Sequence, residues 1–207
     1  MERLDKFISA QANLTRSEAG RAVRCGRVTV DGKVCRQGAE KLDPSAHVIA
    51  IDGRELGYAK FVYWMLNKPA GILCVSRDPK VPTVVDLLPA EHRRKGLFPA
   101  GRLDKDTEGL LLLTDDGDLA HALTAPGRHV DKLYFVRMSG ELCADAAARF
   151  AGELELADGS VCNPAVLERL GERDGLTECL VTLREGKHHQ VKRMTAARGA
   201  NVIYLRR

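Results

Sequence analysis

Leu4, Phe7, Ile8 and Gln11/Ala12 recur at helical spacing over residues 3–12, which predicts a short amphipathic helix. Thr15-Arg16-Ser17-Glu18 then spells a capping box, Thr-x-x-Glu, the signature of a helix start. That second helix runs through Ala19, Ala22 and Val23, and Gly26 stops it. Residues 27–30 alternate like a strand, Asp31-Gly32 is a hairpin signal, and Lys33-Val34 begins the return. A further strand at 48–51 ends at Asp52-Gly53, and 53–60 reads as a linker with Gly53 and Gly57 among polar neighbours.

The pattern then changes. A strand at 61–66 leads through the turn Asn67-Lys68-Pro69-Ala70-Gly71 into 72–75. A short helix is expected at 83–88 after Pro82. The charged loop Gly101-Arg102-Leu103-Asp104-Lys105-Asp106-Thr107-Glu108-Gly109 comes next, directly before an apolar strand at 110–113. Downstream are a helix at 118–124, a strand at 131–138 with Leu133, Phe135 and Arg137 on one face, and a helix at 145–150. Two short strands fall within 153–170. Residues 178–183 alternate cleanly, with Leu180 among their apolar positions; a basic helix at 187–198 and a strand at 202–205 close the chain. The fold class is therefore α+β: a small N-terminal module over 1–58, then a domain over 61–207 whose mixed, largely antiparallel sheet is flanked by helices.

Composition narrows the function. Of 207 residues, 44% are hydrophobic and 29% charged, as in ordinary soluble domains. No apolar run approaches the ~20 residues that span a bilayer, and the N-terminus lacks a signal-peptide core, so a cytoplasmic protein without a membrane partner is expected. The cysteines are scattered with no CxxC pair, which favours reduced thiols over a disulfide frame or a zinc site. Net charge is only +4, but residues 3–41 carry nine Lys/Arg against four Asp/Glu, and residues 184–207 carry seven against one. Two basic poles flank an acidic middle, an asymmetry suited to gripping a polyanion.

No P-loop, GxGxxG or GxSxG occurs, which argues against ATP, dinucleotide and serine-hydrolase chemistry. His188 and His189 would point about 100° apart on the expected helix, and His121 and His129 fall in different elements, so no metal site is expected. Asp104 stands out because a carboxylate beside a phosphate path needs a reason. On spacing alone a turn or cap role is the favoured explanation. By the same measure Tyr134 reads first as a core aromatic and Lys192 as a solvated helix cation.

Five stretches carry family resemblances. RLDKFIS followed by LTRSEAGRAVRCGRVTVDGKV resembles the S4 RNA-binding domain, of αL type, in its order of cap, basic helix and hairpin. The resemblance implies that Arg16, Arg21, Arg24, Arg27, Lys33 and Lys41 face RNA phosphates, giving affinity and register. AGRLDKDTEGLLLLTDDG resembles the catalytic motif of the RsuA and RluA families of pseudouridine synthases, DKLYFV and LREGKHHQVKRM match two further motifs in order, and MLNKPAGILCVSRDPKVPTVVDLL matches the segment before the catalytic loop in the RsuA branch.

The resemblance implies conversion of a uridine in ribosomal RNA to pseudouridine, in 16S RNA by the wording HHQVKRM. The alternatives are the same reaction on 23S RNA, or a non-catalytic RNA-binding assembly factor. It implies Asp104 as the catalytic carboxylate, Tyr134 stacked on the target base, Lys192 paired with Asp104, Arg102 on phosphate or nucleotide and Leu183 packed beneath the base. Lys187, His189, Gln190 and Arg193, within the third motif, are expected to contact RNA. An isomerisation needs no cofactor, and a monomer is expected. The family continues beyond Val202–Arg207 with a Gly-containing turn and a terminal strand, so either a shortened chain or a sheet lacking a peripheral strand is expected.

Overall fold

The computed structural model describes residues 1–128 and 130–207, with Glu91 and Pro126 described by backbone alone; His129 lies outside the described residues. The chain forms two compact units. One comprises Met1–Val62 with Val85–Leu97, the other Tyr63–Val84 with Phe98–Arg207.

In the first unit, β1 (Glu2–Arg3) leads into α1 (Leu4–Gln11) and α2 (Arg16–Arg24), followed by β2 (Val28–Val30), β3 (Lys33–Val34), β4 (Lys41–Leu42), β5 (Ile49–Ile51) and β6 (Arg54–Glu55). The capping box forms as the sequence predicts: Thr15 accepts from the Glu18 amide, and the Glu18 carboxylate accepts from the Thr15 amide. The strands pair antiparallel in the order β3-β2-β5-β6, while β1 pairs with β4. Leu4, Phe7 and Ile8 of α1 meet Ala19, Ala22 and Val23 of α2 over Val28, Ile49 and Ile51 in one core. The expected linker is partly strand, because Arg54 and Glu55 pair back onto Ile51 and Ala50.

Asp5 ties the two helices together. Its carboxylate accepts from Arg3 at 3.1 and 2.7 Å and from Arg16 at 2.9 Å. Arg3, and then Arg16, hold the Asp5 carboxyl below its ordinary pKa against the opposing effect of burial.

The second unit contains β7 (Tyr63–Lys68), β8 (Phe98–Ala100), β9 (Gly109–Thr114), α3 (Gly117–Thr124), β10 (Lys132–Ser139), α4 (Ala146–Phe150), β11 (Leu154–Glu155), β12 (Val161–Cys162), β13 (Val166–Arg173), β14 (Leu176–Leu183), α5 (Gln190–Ala196) and β15 (Asn201–Arg206). One sheet has the order β7-β9-β8 and another β13-β14-β10-β15, both antiparallel. They meet where β9 begins. Glu108 N–H donates to Leu205 O, Arg207 N–H to Glu108 O, and Leu110 N–H to Arg207 O, a parallel join. Gly109 sits there at φ +107°, and a Cβ on it would strike the Arg207 backbone, so only glycine allows the approach.

Several boundaries differ from the sequence reading. β8 escaped notice because it contains Pro99; it lies at a sheet edge, where a strand tolerates a missing N–H. β13 is longer than expected, and its exposed edge position with a bulge before Gly171 erases the alternation. Residues 72–75 make only a single bridge, Leu73 to Thr83, and the helix expected at 83–88 is a 3-10 turn, Val84–Leu87. Leu133, Phe135 and Arg137 share a face of β10, but the face in the core is Tyr134, Val136 and Met138, matched on β14 by Cys179, Val181 and Leu183 rather than Leu180.

The first unit yields a stability prediction. Asp5→Asn removes the charge that both arginines use and lowers stability by about 1–2 kcal/mol at neutral pH. Because the folded-state pKa lies below the unfolded one, the contribution is complete above about pH 5 and fades as pH falls through the folded value. Urea unfolding of the two proteins at neutral and acid pH measures the gap; a gap that persists at pH 2 contradicts the ion-pair account.

Candidate active site

The loop 101–109 is fixed from below before it can present anything. Lys68, at the end of β7, is fully buried. Its ammonium donates to the carbonyls of Pro69 at 3.0 Å, Lys105 at 3.0 Å and Thr107 at 2.9 Å. Gly71 N–H reaches the same Lys105 carbonyl at 2.8 Å. Burial pushes the Lys68 pKa below a lysine's ordinary value, while Cys74 and the carboxylates of Asp106, Asp104 and Glu108 pull the other way. Thr107 N–H donates to Asp104 O at 3.1 Å and closes a turn that turns the Asp104 side chain toward a cavity. The sequence reading missed Lys68. Asn67-Lys68-Pro69 reads as a surface turn, and no local pattern marks the lysine as buried.

The cavity has a volume of about 60 Å³ and is lined by Arg102, Asp104, Thr107, Tyr134, Leu183 and His189 among others. An adjoining cleft of about 290 Å³ shares Arg102, Asp104, Lys187 and His189, and adds Cys74, Lys105 and His188. Tyr134 comes from β10 and Leu183 from β14, opposite ends of antiparallel neighbours: Lys132 pairs with Leu183 and Tyr134 with Val181. Tyr134 is 8% exposed. Burial raises its phenol pKa, Arg207 opposes the shift, and Asp104 adds to it, so the hydroxyl is neutral near pH 7.

Lys192, on α5, extends toward the loop. Its ammonium lies 3.5 Å from Asp104 Oδ2 but donates at 2.6 and 2.7 Å to the two Asp106 oxygens. The expected Lys192–Asp104 pair is therefore a shared arrangement with Asp106 as the tighter partner. Lys192 holds the Asp106 carboxyl below its ordinary pKa. His189 Nε2 stands 3.7 Å from Asp104 Oδ1.

The third motif differs from the expected helix. α5 begins only at Gln190, because His189 adopts φ +51° and Gln190 Oε1 accepts from Lys187 N–H. His188 and His189 do not diverge; their rings stack with centroids 3.8 Å apart. A left-handed histidine beside a carboxylate is the kind of backbone strain that collects at functional sites.

The residues expected on RNA divide by their partners. Arg102 is exposed and has no ion-pair partner among the described residues. Arg21, Arg24 and Lys33 are likewise exposed and unpaired with any described carboxylate. Arg16 is held by Asp5, and Arg27 makes a two-pronged contact with Asp52. Arg193 is engaged by Asp158 and Ser160. Gln190 is buried, its amide donating to Glu185 and its carbonyl accepting from Lys187. Lys187 reaches Val161 O and lies 3.6 Å from Glu185. Arg16, Arg27, Arg193, Lys187 and Gln190 thus serve internal contacts that their sequence positions do not reveal.

Comparison with known proteins gives concordant likenesses. Residues 62–197 match the RNA pseudouridylate synthase family, and residues 2–48 match the S4 domain. The chain is 44% identical to ribosomal small subunit pseudouridine synthase A of Escherichia coli (strain K12), over 99% of this chain and 87% of that protein. It is 40% identical to an uncharacterized RNA pseudouridine synthase, YtzG, of Bacillus subtilis (strain 168), over 99% of this chain and 86% of that one. A crystal structure of a pseudouridylate synthase aligns with 36% identity and a TM-score of 0.63, over 100% of this chain and 87% of that one.

The buried ammonium can be tested directly. Lys68→Met keeps an aliphatic stem but takes the ammonium away from three carbonyls, of which only that of Lys105 keeps another donor, the Gly71 N–H, and costs about 3 kcal/mol or more. Denaturant unfolding measures the loss; a variant as stable as the parent contradicts the role given to Lys68.

Proposed function

The chain belongs to the RNA pseudouridylate synthase family and carries an S4 domain, and from that premise we propose that it isomerises a uridine of small-subunit (16S) ribosomal RNA with Asp104 as the reacting carboxylate. One observation carries the assignment of Asp104. Residues remote in sequence, Asp104, Tyr134 and Leu183, line one cavity, and the Lys192 ammonium stands 3.5 Å from the Asp104 carboxylate. The choice of small-subunit RNA is supported by the similarity to the Escherichia coli enzyme of that name.

The reaction breaks the bond from N1 of uracil to C1′ of ribose, turns the base, and joins C5 to C1′. C5 loses a proton and N1 gains one, so atoms balance without redox change or an added group. A carboxylate is ionised at neutral pH and can act on the nucleotide without an activating base. Lys192 offsets the charge held in a dehydrated pocket and fixes its orientation. Extruding the base costs a few kcal/mol. Stacking on Tyr134 returns about 1–3 kcal/mol, and Leu183 closes the apolar side. Arg102, exposed in the adjoining cleft and without an ion-pair partner among the described residues, binds a phosphate on this reading.

The unpaired Arg21 and Arg24 on α2 supply grip rather than chemistry. Asp104→Asn abolishes pseudouridine formation in small-subunit RNA, mapped by carbodiimide adducts and primer extension, and leaves RNA binding largely unchanged. Retained turnover removes Asp104 from the mechanism, and adducts confined to large-subunit RNA redirect the substrate. Replacing Arg21 and Arg24 together by alanine reduces the slope of log affinity against log salt by about 1–2. An unchanged slope places the RNA on another face of the domain.

A further inference from the structure

We infer that the Thr107 hydroxyl is a substrate-binding group, held in reserve for the polar edge of the everted uridine. The inference rests on the proposed reading of Asp104. Thr107 is 1% exposed and lines the same cavity as Asp104, Tyr134 and Leu183. Its Oγ1 has no hydrogen-bond partner among the described residues. The backbone around it is fully engaged: its N–H donates to Asp104 O at 3.1 Å, and its carbonyl accepts from the Lys68 ammonium at 2.9 Å. The backbone is therefore a fixed frame, on which the hydroxyl can swing toward the cavity by rotation about χ1 alone, without unmaking the loop.

A buried hydroxyl without a partner is unfavourable for folding. Valine would fill the same volume and avoid the penalty. A group that weakens the fold and sits in a reaction cavity is accounted for when a ligand completes it. An everted pyrimidine brings what is missing. Its faces meet Tyr134 and Leu183, and its rim carries carbonyl and imide groups that have lost water. A hydroxyl donates to the first and accepts from the second, and binding sites that pair such groups discriminate strongly against ligands lacking them. Lysine and arginine at the mouth bind phosphate without regard to base. Thr107, deeper in, is suited to contact the base itself.

The test uses the full-length protein and a small-subunit RNA transcript, with Thr107→Val, Thr107→Ser and Asp104→Asn assayed in parallel. Thr107→Val is expected to melt at the same temperature as the parent or higher, yet to lose about tenfold in single-turnover rate or in apparent substrate affinity, the equivalent of one hydrogen bond. Thr107→Ser, which restores the hydroxyl, recovers most of the loss. Full activity in Thr107→Val overturns the inference. So does a fall in melting temperature together with activity, because the hydroxyl then holds the fold, and so does a serine variant as slow as the valine one, because the methyl group then matters. Turnover by Asp104→Asn is a separate failure: it removes the catalytic reading whatever Thr107 does.

Discussion

A lysine ammonium sealed inside protein is normally a liability, since desolvation favours the neutral amine. Lys68 is tolerated because three carbonyls converge on it, two of them from the loop that carries Asp104. The dependence runs both ways. Without the loop the ammonium is stranded, and without the ammonium the Thr107 carbonyl loses its donor and the Lys105 carbonyl keeps only the Gly71 N–H. The conformation of 104–107 is thus tied to the end of β7, a rigid element, rather than left to loop entropy. At the other end, Gly109 lets the strand begin in backbone contact with Arg207. Clamped at both ends, the loop can direct one carboxylate into the cavity with little freedom to retract.

The electrostatics around that carboxylate follow from a division of labour between two acids. A single ammonium cannot make short bonds to every oxygen near it. Lys192 makes its short bonds to Asp106, whose side chain is 71% exposed, and a longer contact to Asp104, whose side chain is 24% exposed. An acid locked in a short ion pair has its lone pairs occupied and must break that pair to react. Asp104 receives the field of the cation without surrendering its oxygens. On the proposed reading of Asp104 the weaker contact is the more useful one, and Asp106 keeps the ammonium in place.

The sequence revealed elements governed by local rules. The capping box, the Asp-Gly hairpin and the periodicity of α1, β9 and β14 depend on neighbours a few residues apart, and they formed where their spacing put them. It was less informative where tertiary context decides. β8 hides behind a proline that only an edge strand accepts, and the start of α5 is set by Gln190 reaching Lys187. At the site, Asp104, Tyr134 and Leu183, which line one cavity, were singled out through family resemblance alone, whereas spacing left Asp104 and Tyr134 with structural alternatives. Lys68 was overlooked because lysine beside a Pro/Gly turn reads as surface. Its burial is visible only when the carbonyls of a loop distant in sequence close over it.

The same distinction bears on which basic residues can hold RNA. Net charge counts every arginine equally, but an arginine already bridged to a carboxylate must exchange that partner for a phosphate, and the carboxylate it releases then repels the same phosphate. Arg16, Arg27 and Arg193 are in that position. Arg21, Arg24, Lys33 and Arg102 begin without an ion-pair partner among the described residues, so a phosphate replaces only counterions and water, and the release of counterions drives binding. Affinity should therefore follow the unpaired cations rather than the total of Lys and Arg. The basic N-terminal pole can then be less effective than its charge suggests.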